Sequence, residues 1–277
     1  IGDQWGEVRL GRDNLAIWNN AAAFDPFGTV GVGTITQLYS VLGSCTGFTA
    51  ATLTANAACN GSLDNKRVDN AVSYFLPGNL GGVYGQLQGS FGEGTAGKTN
   101  GGRIGFKGFG LDAAVAINNF NVVAPASNAA TIATGGDYRQ IHVGATYDFG
   151  PAKLWGSYVQ AKRELVGVER KLKVWQLGVT AAVGASRTVK AVYGKASDFA
   201  PATQWALGYQ HDLSKRTALY ATYGQIKNKS NSTGAISTFT VHGLSHVVLS
   251  SIVTTYSRVL ASMRVKRSVR CRFSREP

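Results

Sequence analysis

The chain has 277 residues with 35 Gly, 12 Phe, 11 Tyr and 5 Trp, but one Met and six Pro, a balance that suits glycine- and aromatic-rich strands better than helices. No uninterrupted run of 18 apolar residues occurs, which excludes an ordinary transmembrane helix; a mean hydropathy of −0.04 does not exclude a membrane barrel, whose strands alternate lipid-facing and water-facing residues. The net charge of +13 favours anionic partners or solutes, although seven cations lie beyond Leu244 against Glu276 alone.

In chain order, alternation with period two predicts strands over residues 6–12, 68–76, 83–91, 103–109, 111–120, 138–149, 153–163, 171–182, 188–196, 203–212 and 217–226. Most are about ten residues long, the length a tilted strand needs to cross a bilayer. The pattern is clearest where Ile141, Val143, Ala145, Tyr147 and Phe149 oppose Gln140, His142, Gly144, Thr146 and Asp148, and where Val83, Leu87 and Phe91 oppose Tyr84, Gln86, Gln88 and Ser90. In residues 217–226, Leu219, Ala221 and Tyr223 are expected to face lipid while Thr222 and Gly224 face water. Aromatics collect near strand ends (Tyr74, Phe75, Tyr147, Phe149, Trp155), as interfacial girdles do.

The connections alternate in length. Residues 77–82, 110, 150–152, 184–187 and 213–216 are tight, whereas 92–102, 121–137, 164–170 and 227–234 are longer. That is the up-and-down pattern of an outer-membrane barrel, with turns on one side and loops on the other; a soluble sandwich would have shorter strands and more uniform loops. The connection 13–67 is out of scale for a compact domain, and in a barrel the lumen can take it. The predicted class is therefore all-β, an antiparallel up-and-down transmembrane barrel.

Cys45 and Cys59 lie in a polar Gly/Ala/Thr-rich stretch of that connection, with no CxxC and no nearby histidine, so a loop disulfide or two unpaired small residues are the readings and a metal site is not. Arg103 and Lys107 alternate with Ile104 and Phe106 and are expected to face water, as is His142. The glycine-rich GFKGFG and GVGTIT lack the GK[ST] of a phosphate loop, and no cofactor is implied.

Three strings, YQHDLSKRTALYATYGQIKN, GEVRLGRD followed by FDPFGTVGVG, and RVDNAVSYFLPGNLGG, resemble the general trimeric porins of Gram-negative bacteria, most closely the betaproteobacterial type. The resemblance spans about residues 5–230. It implies a barrel of about sixteen strands, an integral outer-membrane location, a homotrimer in contact with outer-membrane lipid, and passive diffusion of small hydrophilic solutes with anion preference. It also implies a constriction loop over residues 13–67, with loop acids facing a basic wall. Arg12 and Arg67 match wall arginines of the family, and Asp25 lies on the loop. Strict alternation nevertheless puts Arg9 with Glu7 toward the lumen and Arg12 toward lipid, unless Gly11 breaks the alternation. If it does not, Arg9 is the wall residue.

The eleven runs plus one closing strand fall about four short of that family, so about four strands are expected to precede Ile1, or a leader to have been removed. Residues 1–243 are assigned to the barrel. Residues 244–277 form a basic tail unlike a porin end, for which a shifted reading frame near residues 237–243 is one cause. The sheet is accordingly expected to show a gap between its ends. Two rival classes remain. A barrel enzyme would need a nucleophile beside one of His142, His211, His242 or His246, and no such motif stands near them. A protein binding anionic polymers would use the tail; nucleic acid is not the expected partner.

Overall fold

The computed structural model describes residues 1–43, 66–92, 98–122, 136–165, 168–214, 217–229 and 240–244. They form one antiparallel sheet of thirteen strands in chain order. The strands are β1 (Gly2–Asp3), β2 (Gly6–Asn14), β3 (Arg67–Phe75), β4 (Val83–Ser90), β5 (Thr99–Gly108), β6 (Leu111–Val122), β7 (Gly136–Asp148), β8 (Ala152–Leu165), β9 (Val168–Ala182), β10 (Arg187–Asp198), β11 (Ala202–Ser214), β12 (Thr217–Asn228) and β13 (Thr240–Leu244). Two helices, α1 (Ala16–Ala23) and α2 (Thr36–Gly43), follow β2.

Every predicted run is a strand. The β8–β9 pair runs further than expected, pairing to Leu165↔Val168, so the strands take in residues 164–165 and 168–170 of the predicted connection 164–170. Lys162, Glu164, Glu169 and Lys171 extend this ladder with polar side chains on the outward face, where no apolar alternation announces a strand. Among the described residues β1 pairs with β2 and β13 with β12, but not with each other. The sheet is a partial barrel with two edges.

The alternation sorts side chains as a membrane wall requires. Leu87, Ile104, Val143, Tyr147, Leu177, Leu207 and Tyr223 are exposed on the outer face, and Gln86, Gln88, Gln140, His142, Thr146, Gln176 and Gln204 are buried on the inner one. A water-soluble sheet would reverse this. In lipid the order is favourable, because strand pairing satisfies the backbone while apolar side chains meet hydrocarbon. Two girdle assignments are corrected: Phe75 and Trp155 lie on the inner face, Phe75 beneath Arg9 and Trp155 donating from Nε1 to Thr180 Oγ1 at 3.1 Å. Tyr74 stacks on Trp5, and Tyr147 packs edge-on to Phe149.

The buried core lies on the inner face, between the wall and the segment after β2. Leu15, Ile17, Ile35, Leu38, Tyr39 and Leu42 pack onto Val159, Ala161, Leu172, Val174, Val192 and Ala196. Each fully buried Leu, Ile or Phe contributes about 1.5–3 kcal/mol, so the segment is seated chiefly by apolar burial. Helix α1 draws on Ala16 and Ala21–Ala23, strong helix formers, and stops at Phe24 because Asp25 precedes Pro26 and is steered from helical backbone. Four inner-face glycines leave sockets for this segment: a Cβ would lie 2.3 Å from the Phe24 ring at Gly144, 2.8 Å from Pro26 at Gly178, 3.0 Å from Leu38 at Gly194 and 2.8 Å from Phe27 at Gly208.

Candidate functional site

The polar features of the inner face lie on β2 and β3 and along the line where α1 meets β4–β7. Arg9 pairs across the sheet with Ser73, which is fully buried on the inner face, whereas its neighbour Leu10 is 74% exposed on the outer face. The Arg9 guanidinium lies 4.2 Å from the Phe75 ring centre, bonds Glu7 at 2.7 Å and comes within 3.7 Å of Asp13. Alternation then breaks at Gly11, whose φ of +100° suits glycine alone, and the register slips between Gly11 and Asp13. Arg12 sits in this irregularity, 3.4 Å from Asp69, with both side chains well exposed. Arg67 closes the same rim, donating from Nε to Asn14 Oδ1 at 3.4 Å.

Arg103 stands deeper on the wall, paired across the sheet with Gln86 and Ala116. Its Nε donates to Asn20 Oδ1 of α1 at 2.8 Å, and its guanidinium lies over the Tyr84 ring at 4.7 Å and near the Phe24 ring at 5.9 Å. Asp112 accepts the Tyr84 hydroxyl at 2.5 Å, and Arg103 makes no ion pair among the described residues. Lys107, on the same face of β5, is exposed near the tight turn into β6. His142 is on the inner wall but does not meet water: it is fully buried beneath α1, its Nδ1 2.7 Å from Asn20 Nδ2. A covered ring is ill placed to act as a base on a solute, and His211 stacks on Tyr209; His246 lies outside the described residues.

Asp25 corrects the expectation of a loop acid facing the wall cations. Its carboxylate is turned into the segment, 3% exposed, accepting from the Phe27 N–H at 2.8 Å, the Thr29 N–H at 3.2 Å and the Thr34 hydroxyl. Burial raises its pKa above the ordinary 3.8, with the Thr34 and backbone bonds pulling the other way. The signal was present in DPFG, since an Asp bonding the N–H two residues on makes an Asx turn. Cys45 and Cys59 lie outside the described residues.

Alternation alone did not reveal what the buried wall amides do. Gln86 and Gln88 donate to the Asn14 carbonyl at 3.3 and 2.9 Å, and Ser157 to Phe24 at 3.0 Å. Gln176 donates to Gly33 at 2.9 Å, Gln204 to Val32 and Thr34 at 2.5 and 2.9 Å, and Arg163 to Leu42 at 2.8 Å. The Asn118 side-chain Oδ1 accepts the Ile17 N–H at 2.9 Å. An inward segment has backbone groups that strand pairing cannot satisfy; these side chains satisfy them.

A model of the Gram-negative porin family matches residues 1–231. The outer membrane porin protein 32 of Delftia acidovorans is 33% identical over 248 residues, covering 84% of this chain. The chain spans 63% of the length of that curated relative. Among solved structures, an anion-selective porin from Comamonas acidovorans is similar with a TM-score of 0.68 at 31% identity, over 83% of this chain and 66% of that one. In-vitro folded OmpT of Vibrio cholerae shares the fold, with a TM-score of 0.59 at 15% identity over 86% of this chain and 72% of that one. The family match takes in every strand from β1 to β12, and the chain belongs to the Gram-negative porin family.

Proposed function

We propose that this chain supplies most of the wall of a diffusion channel of about sixteen strands, in which residues 13–67 fold inward as the constriction and small hydrophilic solutes pass with a preference for anions. Membership of the family makes it an integral protein of the bacterial outer membrane. The observation that carries the anion preference is Arg103. Its charge is fixed by Asn20 and two rings where the inward segment meets the wall, and the one acidic side chain of residues 15–43, Asp25, is turned away from solvent. A fixed cation beside a narrow, partly desolvated passage raises the local anion concentration, and salt screens the effect. The Comamonas relative described as anion-selective supports this reading. Arg9, Arg12, Arg67 and Lys107 are read as further wall cations, and assembly as a homotrimer rests on the motif resemblance.

The test is a chimera in which the Delftia porin supplies the part of the barrel that this chain does not span, reconstituted in a planar bilayer across a KCl gradient. The reversal potential is expected to show anion preference, and Arg103→Glu to move it toward cations. Cation preference in the unmodified chimera, or no movement on Arg103→Glu, overturns the assignment.

A further inference from the structure

His142 is a titratable ring for which solute diffusion has no direct use. It stands on the inner face of β7, between Ala116 of β6 and Val159 of β8, and it is fully buried. A chain of hydrogen bonds joins it to Arg103. The Arg103 Nε–H donates to Asn20 Oδ1 at 2.8 Å, which leaves the Asn20 amide nitrogen for the wall. That nitrogen carries two N–H groups and meets three acceptors: His142 Nδ1 at 2.7 Å, the His142 carbonyl at 3.2 Å and the Ala114 carbonyl at 3.4 Å. The ring nitrogen is the near partner. The two carbonyls stand at or beyond the ordinary limit and share the other N–H.

An amide nitrogen only donates, so Nδ1 must accept. His142 is therefore neutral, with its proton on Nε2. A proton on Nδ1 would set one donor against another. Turning the amide over gives no relief, because its nitrogen would then face the Arg103 Nε–H and its oxygen would face two carbonyls. One arrangement satisfies Arg103, Asn20 and His142 together. The Nε2–H is buried without a partner among the described residues, so the ring's own hydrogen-bond balance does not account for its presence.

What this chain decides is the partner of Arg103. The Arg103 Nη2 lies 3.3 Å from the Tyr84 hydroxyl, and that hydroxyl donates to Asp112 at 2.5 Å. One hydroxyl thus separates the cation from a carboxylate on the same face of the wall. An Arg103 released by Asn20 is free to displace Tyr84 and close a bidentate pair with Asp112. A cation paired in that way attracts a passing anion far less than an unpaired one, because the two fields cancel at a distance.

We propose that His142 is a positioning residue for the anion preference: its unprotonated Nδ1 fixes the Asn20 amide, and Asn20 in turn holds Arg103 apart from Asp112. The inference rests on the reading of Arg103 as the cation that carries that preference.

The test uses the full chain within the chimera above, its barrel verified by heat-modifiable gel mobility, and reads reversal potentials across a KCl gradient. His142→Leu removes the acceptor while keeping an apolar side chain of similar reach. It is expected to lose about half or more of the anion preference that Arg103→Gln removes, and to add nothing further in the Arg103→Gln background. His142→Asn, whose Oδ1 can take the place of Nδ1, is expected to recover most of that loss. Asp112→Asn is expected to raise anion preference more in the His142→Leu background than in the unmodified chimera. Nitrogen NMR of the histidine-labelled chimera at neutral pH, with the His142 signals identified by their loss in His142→Asn, is expected to show Nε2 protonated and Nδ1 bare. An unchanged potential in His142→Leu, equal losses in His142→Leu and His142→Asn, an equal Asp112→Asn gain in both backgrounds, or a proton on Nδ1 overturns the proposal. No movement on Arg103→Gln overturns the diffusion reading and this proposal with it, whereas movement there with none in His142→Leu overturns this proposal alone.

Discussion

Replacing Gln204 by Leu probes the attachment of the inward segment while keeping the side chain's bulk. The Gln204 amide nitrogen holds the carbonyls of Val32 and Thr34 at 2.5 and 2.9 Å, and its oxygen accepts from Gln176 at 2.9 Å. The side chain is fully buried. Leucine leaves both carbonyls without this donor, at about 1–3 kcal/mol for each group that stays buried. Lifting residues 32–38 would let water reach them, at the expense of packing by Val32, Ile35 and Leu38. The net cost is therefore expected at the lower end, about 2 kcal/mol, equivalent to roughly a thirtyfold shift toward the open segment. Hydrogen exchange followed by mass spectrometry in detergent should show that acceleration in residues 32–38 and unchanged protection in β9 to β12. Unchanged exchange in the segment refutes the reasoning. So does equal acceleration throughout the strands, because the amide would then be supporting the wall rather than the segment.

Gly144→Val is expected to push Phe24 off the wall, since a Cβ there would lie 2.3 Å from the ring, and to raise exchange at the end of α1 more than in β7. The raised pKa of Asp25 makes the seated segment most stable with the carboxyl protonated, so stability falls as pH climbs from the ordinary 3.8 toward the raised value and is flat above it. Urea release of the segment, followed by Trp18 fluorescence from acid to neutral pH, should show this slope and lose it in Asp25→Asn. A Cys45–Cys59 disulfide would close a loop of about fifteen residues, worth about 3 kcal/mol in the chain-entropy model; mass spectrometry of an unreduced digest from envelopes decides it, and two free thiols there end the idea. Residues 1–277 alone are expected not to conduct, because the two edges left unpaired among the described residues would expose to lipid backbone groups that cost several kcal/mol each; steady channels from the isolated chain would contradict this.

Strands were legible in the sequence wherever one face stayed polar, as in β4 and β7. Where the inward segment sits, the inner face is apolar as well: β9 places Leu172 and Val174 inward and Trp175 and Leu177 outward. Alternation fades there because both faces are covered, one by lipid and one by chain. The helices escaped notice for a related reason. Neither AIWNNAAA nor TQLYSVLG is long enough for a clear helical period, and their burial depends on a wall assembled from distant sequence. Parity placed Arg9 inward correctly, and Gly11 was the visible sign that counting should stop before Arg12. Asp25 was placed opposite the wall cations by the family resemblance alone, whereas the turn chemistry of DPFG already offered its carboxylate local partners.

The glycine sockets bear on the order in which the molecule assembles. They lie on β7, β9, β10 and β11, and the bonds that seat the segment join residues separated by as many as 172 positions, from Val32 to Gln204. No hairpin contains a complete socket row. The segment can settle only after several strands have paired, and until then Phe24, Phe27 and Leu38 have nowhere to go. Such long-range contacts form late, which would place the segment among the last elements to become native. Substitutions at Gly144 or Gly208 should then speed its release more than they slow formation of the sheet.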